Sequence, residues 1–185
     1  MPSGTVNVFD DGYFVGSVDV NFGMGSMTFF LLDAGSHSLT ASFLAHDTYD
    51  GSTGELTLVV NKADSTTTVS TACMTKFVEF QPFTVSATVS WSVGGFLPIG
   101  LVTFYDGDVP LCTAFYDSDA TCTSNALAVA GSDTETSHNI TASYEGDHNT
   151  NGSVSASPLA ITVLSASDVV FRNDMETPAA SCPIE

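Results

Sequence analysis

Four cysteines, four histidines and 21 acidic residues are the groups in this chain that can do chemistry. Thiols close disulfides or bind metals, imidazoles move protons, and carboxylates coordinate cations; spacing decides among these. No CxxC and no Cys/His ligand spacing occurs, so the cysteines read as disulfide formers rather than as a metal site. Cys112 and Cys122 flank Tyr116-Asp117-Ser118 symmetrically, as a cross-strand pair in a hairpin would. Cys73 and Cys182 are left over. They either pair with each other, pinning the C-terminal tail to the start of the second half, or stay free or intermolecular.

His37 and His138 open two matching segments, Ser36–Phe43 and Ser137–Tyr144. Recurrence at a repeat position predicts a structural hydrogen-bonding role. His46 and His148 fall in loops beside Asp47 and Asp147. No strained nucleophile turn of the G-x-S-x-G kind accompanies them, so no catalytic residue is assigned and the chain reads as a non-enzyme. The acidic pairs are Asp10-Asp11, Asp47 with Asp50, Asp106 with Asp108, Asp117 with Asp119, and Glu145 with Asp147. Calcium asks for roughly six to eight oxygens, usually from a D-x-D-x-D-G loop. These spacings are those of ordinary β turns. No metal and no cofactor is expected. A glycan platform would draw on Tyr13, Phe14, Tyr49, Tyr105, Phe115 and Tyr116, several of which alternation sends toward a core.

Against 21 Asp and Glu stand only Lys62, Lys76 and Arg172, a net charge of −18. Such a chain repels phosphate backbones and anionic lipid, which excludes nucleic acid as a partner. No apolar run reaches the ~20 residues of a membrane-spanning helix, and no membrane insertion is expected. A strand pattern begins at once after Met1, with no leader segment. The chain is therefore expected to be either cytosolic or a piece of a longer secreted protein. The cysteines favour the second, and an extracellular or cell-surface location is expected.

Polarity comes from Ser, Thr, Asn and Gly rather than from charge, and 13 Phe with many Val and Thr favour strands. Phe83, Val85, Ala87, Val89 and Trp91 alternate with Thr84, Ser86, Thr88 and Ser90, which predicts a strand with one buried side. The pattern Pro98-Ile99-Gly100-Leu101-Val102-Thr103-Phe104-Tyr105-Asp106 repeats Pro2–Asp10 at an offset of 96. That register holds to Gly131, matched with Gly35, and Ser132–Thr136 reads as an insertion. The offset is then 101 through Ser137–Tyr144, and 103 at Leu159–Val163 against Leu56–Val60. Insertions confined to predicted loops mark a structural repeat. In the first copy the expected strands are the opening one within Pro2–Asp10, Tyr13–Asn21, Ser26–Leu32, Ser36–Phe43 and a last one with Leu56, Leu58 and Val60 inward. The second copy adds Ser65–Ala72 and Pro82–Trp91 ahead of Pro98.

Seven strand candidates in about 100 residues, regular turns and no helical period form the profile of an immunoglobulin-like sandwich. Four stretches resemble the bacterial Ig-like domain repeats of large surface and secreted proteins. They are Thr66-Thr67-Thr68-Val69, Gln81–Val89, Pro98–Gly107 and Ile140-Thr141-Ala142-Ser143-Tyr144-Glu145-Gly146-Asp147. The first copy departs from them at Phe43-Leu44-Ala45-His46, where Tyr-x-Gly-Asp is expected. Asp168–Glu176 is similar to a short ending on secreted proteins of some Gram-negative bacteria. The resemblance implies an extracellular structural or adhesive module without catalysis and carries over no shared binding site.

The expected organisation is all-β and tandem: an incomplete Ig-like domain at 1–62, lacking its two N-terminal strands, a complete one at 63–164, and a tail at 165–185. A sheet left without its covering strands invites strand addition. The donor would be the tail segment Val169-Val170-Phe171 or a neighbouring molecule, another surface protein or a second copy; copies joined this way run head to tail. The alternative is a glycan- or calcium-binding module of a larger surface protein.

Overall fold

The computed structural model describes residues 1–45, 49–71, 75–92, 95–124 and 127–167. The chain divides after Lys62 into two compact units.

In unit 1, β1 (Gly4–Asp10), β2 (Tyr13–Val20), β3 (Gly35–Phe43) and β4 (Ser52–Val60) make one antiparallel sheet in the order β2-β1-β3-β4. Asp11-Gly12 closes the β1–β2 hairpin with Asp10 opposite Tyr13. Both loop residues have positive φ, 49° and 83°, the geometry that lets a two-residue turn follow the twist of its strands. Apolar residues at every second position give the sheet one apolar face, carrying Val6, Val8, Val18, Leu39 and Leu56.

Unit 2 begins with β5 (Ser65–Ser70), β6 (Lys76–Val78) and β7 (Phe83–Trp91). It continues through β8 (Gly100–Asp106), β9 (Val109–Tyr116), β10 (Ala120–Ser124), β11 (Glu135–Gly146), β12 (Asn151–Val154) and β13 (Leu159–Leu164). One sheet runs β10-β7-β5; the other runs β6-β13-β11-β8-β9, with β12 also paired to β11. The short β6 lies parallel to β13, matching Lys76, Phe77 and Val78 with Thr162, Val163 and Leu164. Between the sheets, Phe83, Val85, Ala87 and Val89 of β7 meet Val102, Phe104, Ile140, Ala142, Ile161 and Val163, all buried. The alternation along β7 is thus the inner face of a two-layer sandwich.

The four strands of unit 1 correspond to β8, β9, β11 and β13, and the spatial order is the same. Registers agree residue by residue: Val6 faces Phe43 and Val8 faces Ala41, as Val102 faces Tyr144 and Phe104 faces Ala142. Two details of the sequence reading change. Gly35 pairs with Val60 as Thr136 pairs with Val163, so Gly35 corresponds to Thr136 rather than to Gly131. The expected strand Ser26–Leu32 does not form. Its counterpart β10 takes its ladder bonds from β7, and no strand of that kind is present among the described residues of unit 1. Without a neighbour for its N–H and C=O groups, an extended segment is not a strand.

Candidate functional site

Three small devices, two polar and one covalent, tie the elements of these units together. In unit 1, His37 Nδ1 lies 2.8 Å from Asp10 Oδ2 and Nε2 lies 2.9 Å from the Asp33 carbonyl. Unit 2 repeats the strut with His138, Asp106 Oδ2 at 2.6 Å and the Ala128 carbonyl at 3.1 Å. Each ring ties a strand start to a strand end and to the loop between them. The Asp33 carbonyl, with the Asp10 carboxylate second, raises the His37 pKa above 6.5, because both favour an imidazolium that donates from each nitrogen. Asp11 brings a second carboxylate within 4.8 Å of this pair, a grouping a cation could use. Both imidazole nitrogens are already committed, however, and Asp11 Oδ1 accepts from the Ser38 amide. Unit 2 builds the same strut with Gly107 in place of Asp11. The geometry is that of a structural clasp.

The second device is the Tyr144-Glu145-Gly146-Asp147 corner. Asp147 Oδ1 accepts from the Asn149 and Thr150 amides at 2.7 and 2.6 Å, and Oδ2 accepts from Ile99 N at 2.9 Å. The Tyr144 hydroxyl lies 2.9 Å from the Ile99 carbonyl and 3.2 Å from Asp147 Oδ2. Burial pushes the Asp147 carboxyl up, but the three amides and the phenol outweigh it and hold the group below 3.8. Tyr144 is pushed well up, by burial first and by the Asp147 charge second. Gly146 is required here: at φ 87°, an added Cβ would stand 2.7 Å from Gly152 N and 2.8 Å from the Thr150 carbonyl. This corner ties the entry of β8 to the β11–β12 turn.

The third is the Cys112–Cys122 disulfide, with Cα atoms 6.4 Å apart. Expected as a cross-strand pair within a hairpin, it instead joins β9 of one sheet to β10 of the other. The chain changes layers at Asp117–Asp119, so consecutive strands fall on opposite sides of the core. On the opposite side, Ser153 of β12 hydrogen-bonds Ser65 and Thr67 of β5. Tyr116 crosses the middle, donating to the Val89 carbonyl at 2.9 Å. Of the aromatics considered for a glycan platform, Tyr116 is thereby buried, while Tyr13 and Phe14 are exposed on successive positions of β2 and so point to opposite faces. Cys73, Cys182, Val169, Val170, Phe171, His46 and Asp47 lie outside the described residues.

Set beside this sealed sandwich, the sheet of unit 1 has one face open. Every buried apolar side chain of the described chain belongs to unit 2. Val6, Val8, Val18, Val20, Leu39, Ala41 and Leu56, with Met27 and Phe29 along one side, line a groove of about 480 Å³. Register-matched positions make the contrast plain: Val6, Val8 and Leu39 are only half-buried and Ala41 is exposed, where Val102, Phe104, Ile140 and Ala142 are 0% exposed. A Cβ on Gly16, the counterpart of Cys112, would run into the Met27 methyl group, so a thioether lies against the position that carries the disulfide in unit 2. No residue type singled out this groove; the signal available was the strand-period alternation that puts Val6 and Val8, and Val18 and Val20, on one face.

Two antiparallel-rich sheets packed over one core, with a leading strand divided between them, define an immunoglobulin-type sandwich module. The family described as bacterial Ig-like domain (group 3) matches residues 64–164, and the chain belongs to that family. No curated protein matches the chain. Among solved structures, the fibronectin(III)-like modules of Clostridium thermocellum CbhA are similar at 16% identity, over 90% of this chain and 80% of that one, with a TM-score of 0.41.

Proposed function

We propose that the chain is a non-catalytic structural or adhesive module of a larger extracellular protein, and that it joins a neighbour by strand addition at the open face of unit 1. Membership of a bacterial Ig-like family supports the first part, since such modules act as spacers and adhesion units. A disulfide across the sheets and a charge of −18 suit an oxidising, aqueous setting outside the cell. The observation that carries the second part is the uncovered apolar face: the same four strands bury their core in unit 2 and leave it open in unit 1. An open sheet with free edges is a template for another chain's strand. Where the neighbour is another copy, the contact is heterologous and runs head to tail.

Hydrogen exchange and sedimentation of the purified chain test this together. In dilute solution the amides of β2 and β4 exchange far faster than those of β7 and β11, and they slow as a neighbour is bound. A monomer whose unit 1 amides are as protected as those of unit 2 would overturn strand addition while leaving the structural role of unit 2 intact.

A further inference from the structure

We infer that Asp10, Asp11 and His37 of unit 1 form a divalent-cation site of the zinc class, in which the ion takes the place of a proton between His37 and Asp10. Each of the three side chains offers one ligand atom, and these atoms all lie within 4.8 Å of one another. The site is independent of what meets the open face.

The arrangement of charge asks for a cation. His37 Nδ1 stands 2.8 Å from Asp10 Oδ2, while Nε2 stands 2.9 Å from the Asp33 carbonyl oxygen. A neutral imidazole carries one N–H, so either tautomer turns a lone pair toward one of these oxygens. With the N–H on Nε2, as the Asp33 carbonyl favours, the lone pair of Nδ1 faces a carboxylate. A positive charge held between them relieves that contact. A proton does this, and so does a metal ion; a carbonyl on the far ring nitrogen is the partner that a metal-bound imidazole normally has. The bond at Nδ1 is therefore a place that a cation can take. Asp10 supplies a separate sign. Its Oδ1 is buried with no hydrogen-bond partner, the only such side-chain atom among the described residues. A bare buried carboxylate oxygen is costly, and a coordinated ion offsets the cost.

The third ligand separates this clasp from its copy. The Asp11 amide donates to the Ser38 carbonyl at 3.0 Å, and Asp11 Oδ1 accepts from the Ser38 amide at 3.1 Å. Ser38 follows His37 in β3, so these two bonds hold the Asp11 carboxylate beside the ring. In unit 2 the Asp106–His138 strut recurs, and the Gly107 amide reaches the Asn139 carbonyl in the same way, but glycine brings no carboxylate. Among the described residues no other group of three such ligands exists. Ligand type sets the class of ion. One imidazole with two carboxylates suits zinc and its neighbours, whereas calcium asks for roughly six to eight oxygens. Ligand atoms ~2.0–2.2 Å from a tetrahedral ion stand about 3.4 Å apart, so small side-chain rotations within the cluster suffice. The ion joins the β1–β2 hairpin to β3, in the unit that holds none of the buried apolar side chains. A small sheet of that kind gains most from a metal staple.

Calorimetric titration of the untagged full chain with zinc chloride tests this, with calcium chloride as the comparison. The expected result is one zinc per chain, no displacement by calcium, and a higher melting temperature for unit 1 but not for unit 2. In proton NMR, zinc shifts the His37 ring signals and leaves those of His138 in place. Asp11→Gly copies the unit 2 turn and keeps the strut, and it weakens zinc binding by roughly tenfold or more. Gly107→Asp supplies the missing ligand to unit 2, where an added Cβ meets nothing within 4 Å, and the chain then takes a second zinc. His46→Ala and His148→Ala leave binding unchanged. The assignment is overturned by a parent chain that takes up no zinc, or by a His37 ring unmoved at saturating zinc. Uptake that survives both Asp11→Gly and His37→Gln overturns it too, as does a Gly107→Asp chain that still holds a single ion.

Discussion

The phenol of Tyr144 and the carboxylate of Asp147 meet at 3.2 Å, three residues apart, with Ile99 bonded to both. That triangle locks the entry of β8 onto the β11–β12 turn and accounts for the Tyr-x-Gly-Asp signature in physical terms. Tyr144→Phe removes the hydroxyl bonded to the Ile99 carbonyl and lowers the stability of unit 2 by about 1–2 kcal/mol in urea unfolding. Gly146→Ala costs more, on the order of 3 kcal/mol, because it forces both a strained φ and a backbone clash. An alanine variant as stable as the parent would show that the corner relaxes freely.

Asp147 sets an acid limit. Its carboxyl is held below 3.8 in the fold, so its contribution is fully present above the unfolded value and is lost as pH falls through the lower folded one. Thermal melts of unit 2 between pH 2 and pH 6 (roughly the window around an ordinary carboxylate) drop on the acid side. Asp147→Asn removes that part of the slope.

His37 works in the opposite direction. A pKa raised above 6.5 means its stabilisation is present below that value and fades as pH rises through the folded pKa. A proton NMR titration of the His37 ring should place the midpoint above 6.5; a midpoint at or below it would remove the clasp's charged form from the account.

The disulfide joins strands of different layers and closes a loop of 10 residues in sequence separation. Replacing both Cys112 and Cys122 with Ser lowers the stability of unit 2 by about 2–3 kcal/mol. Unit 1 is unaffected, and chemical unfolding of the two units monitored separately shows the difference.

One alanine substitution in each unit separates a sealed core from an open face. Ile140→Ala, at a fully buried position, costs about 2–5 kcal/mol. Leu56→Ala, 62% exposed, changes the stability of unit 1 by no more than about 0.5 kcal/mol. Equal costs would mean the face of unit 1 is already covered.

Much of the fold was legible in particular residues. Phe83–Trp91 announced a one-sided strand, and Pro2–Asp10 against Pro98–Asp106 announced the repeat. His37 and His138 were readable as struts because they recur at one place in it. Three readings failed for a shared reason. Ser26–Leu32 has strand-forming residues but no β7 to bond. Cys112 and Cys122 were placed in one hairpin because linear spacing does not reveal a change of layer. Gly131 was matched to Gly35 by residue type, whereas pairing partners assign Thr136.

By itself the sequence determined which residues alternate, where turns fall and which segments are copies, because side-chain period and turn chemistry are local properties. Only the tertiary structure decided which apolar face is sealed, which cysteine pair spans the layers and which extended segment becomes a strand. Those depend on what lies across from a residue, and a backbone hydrogen bond or a buried methyl group exists only when a partner supplies its other half.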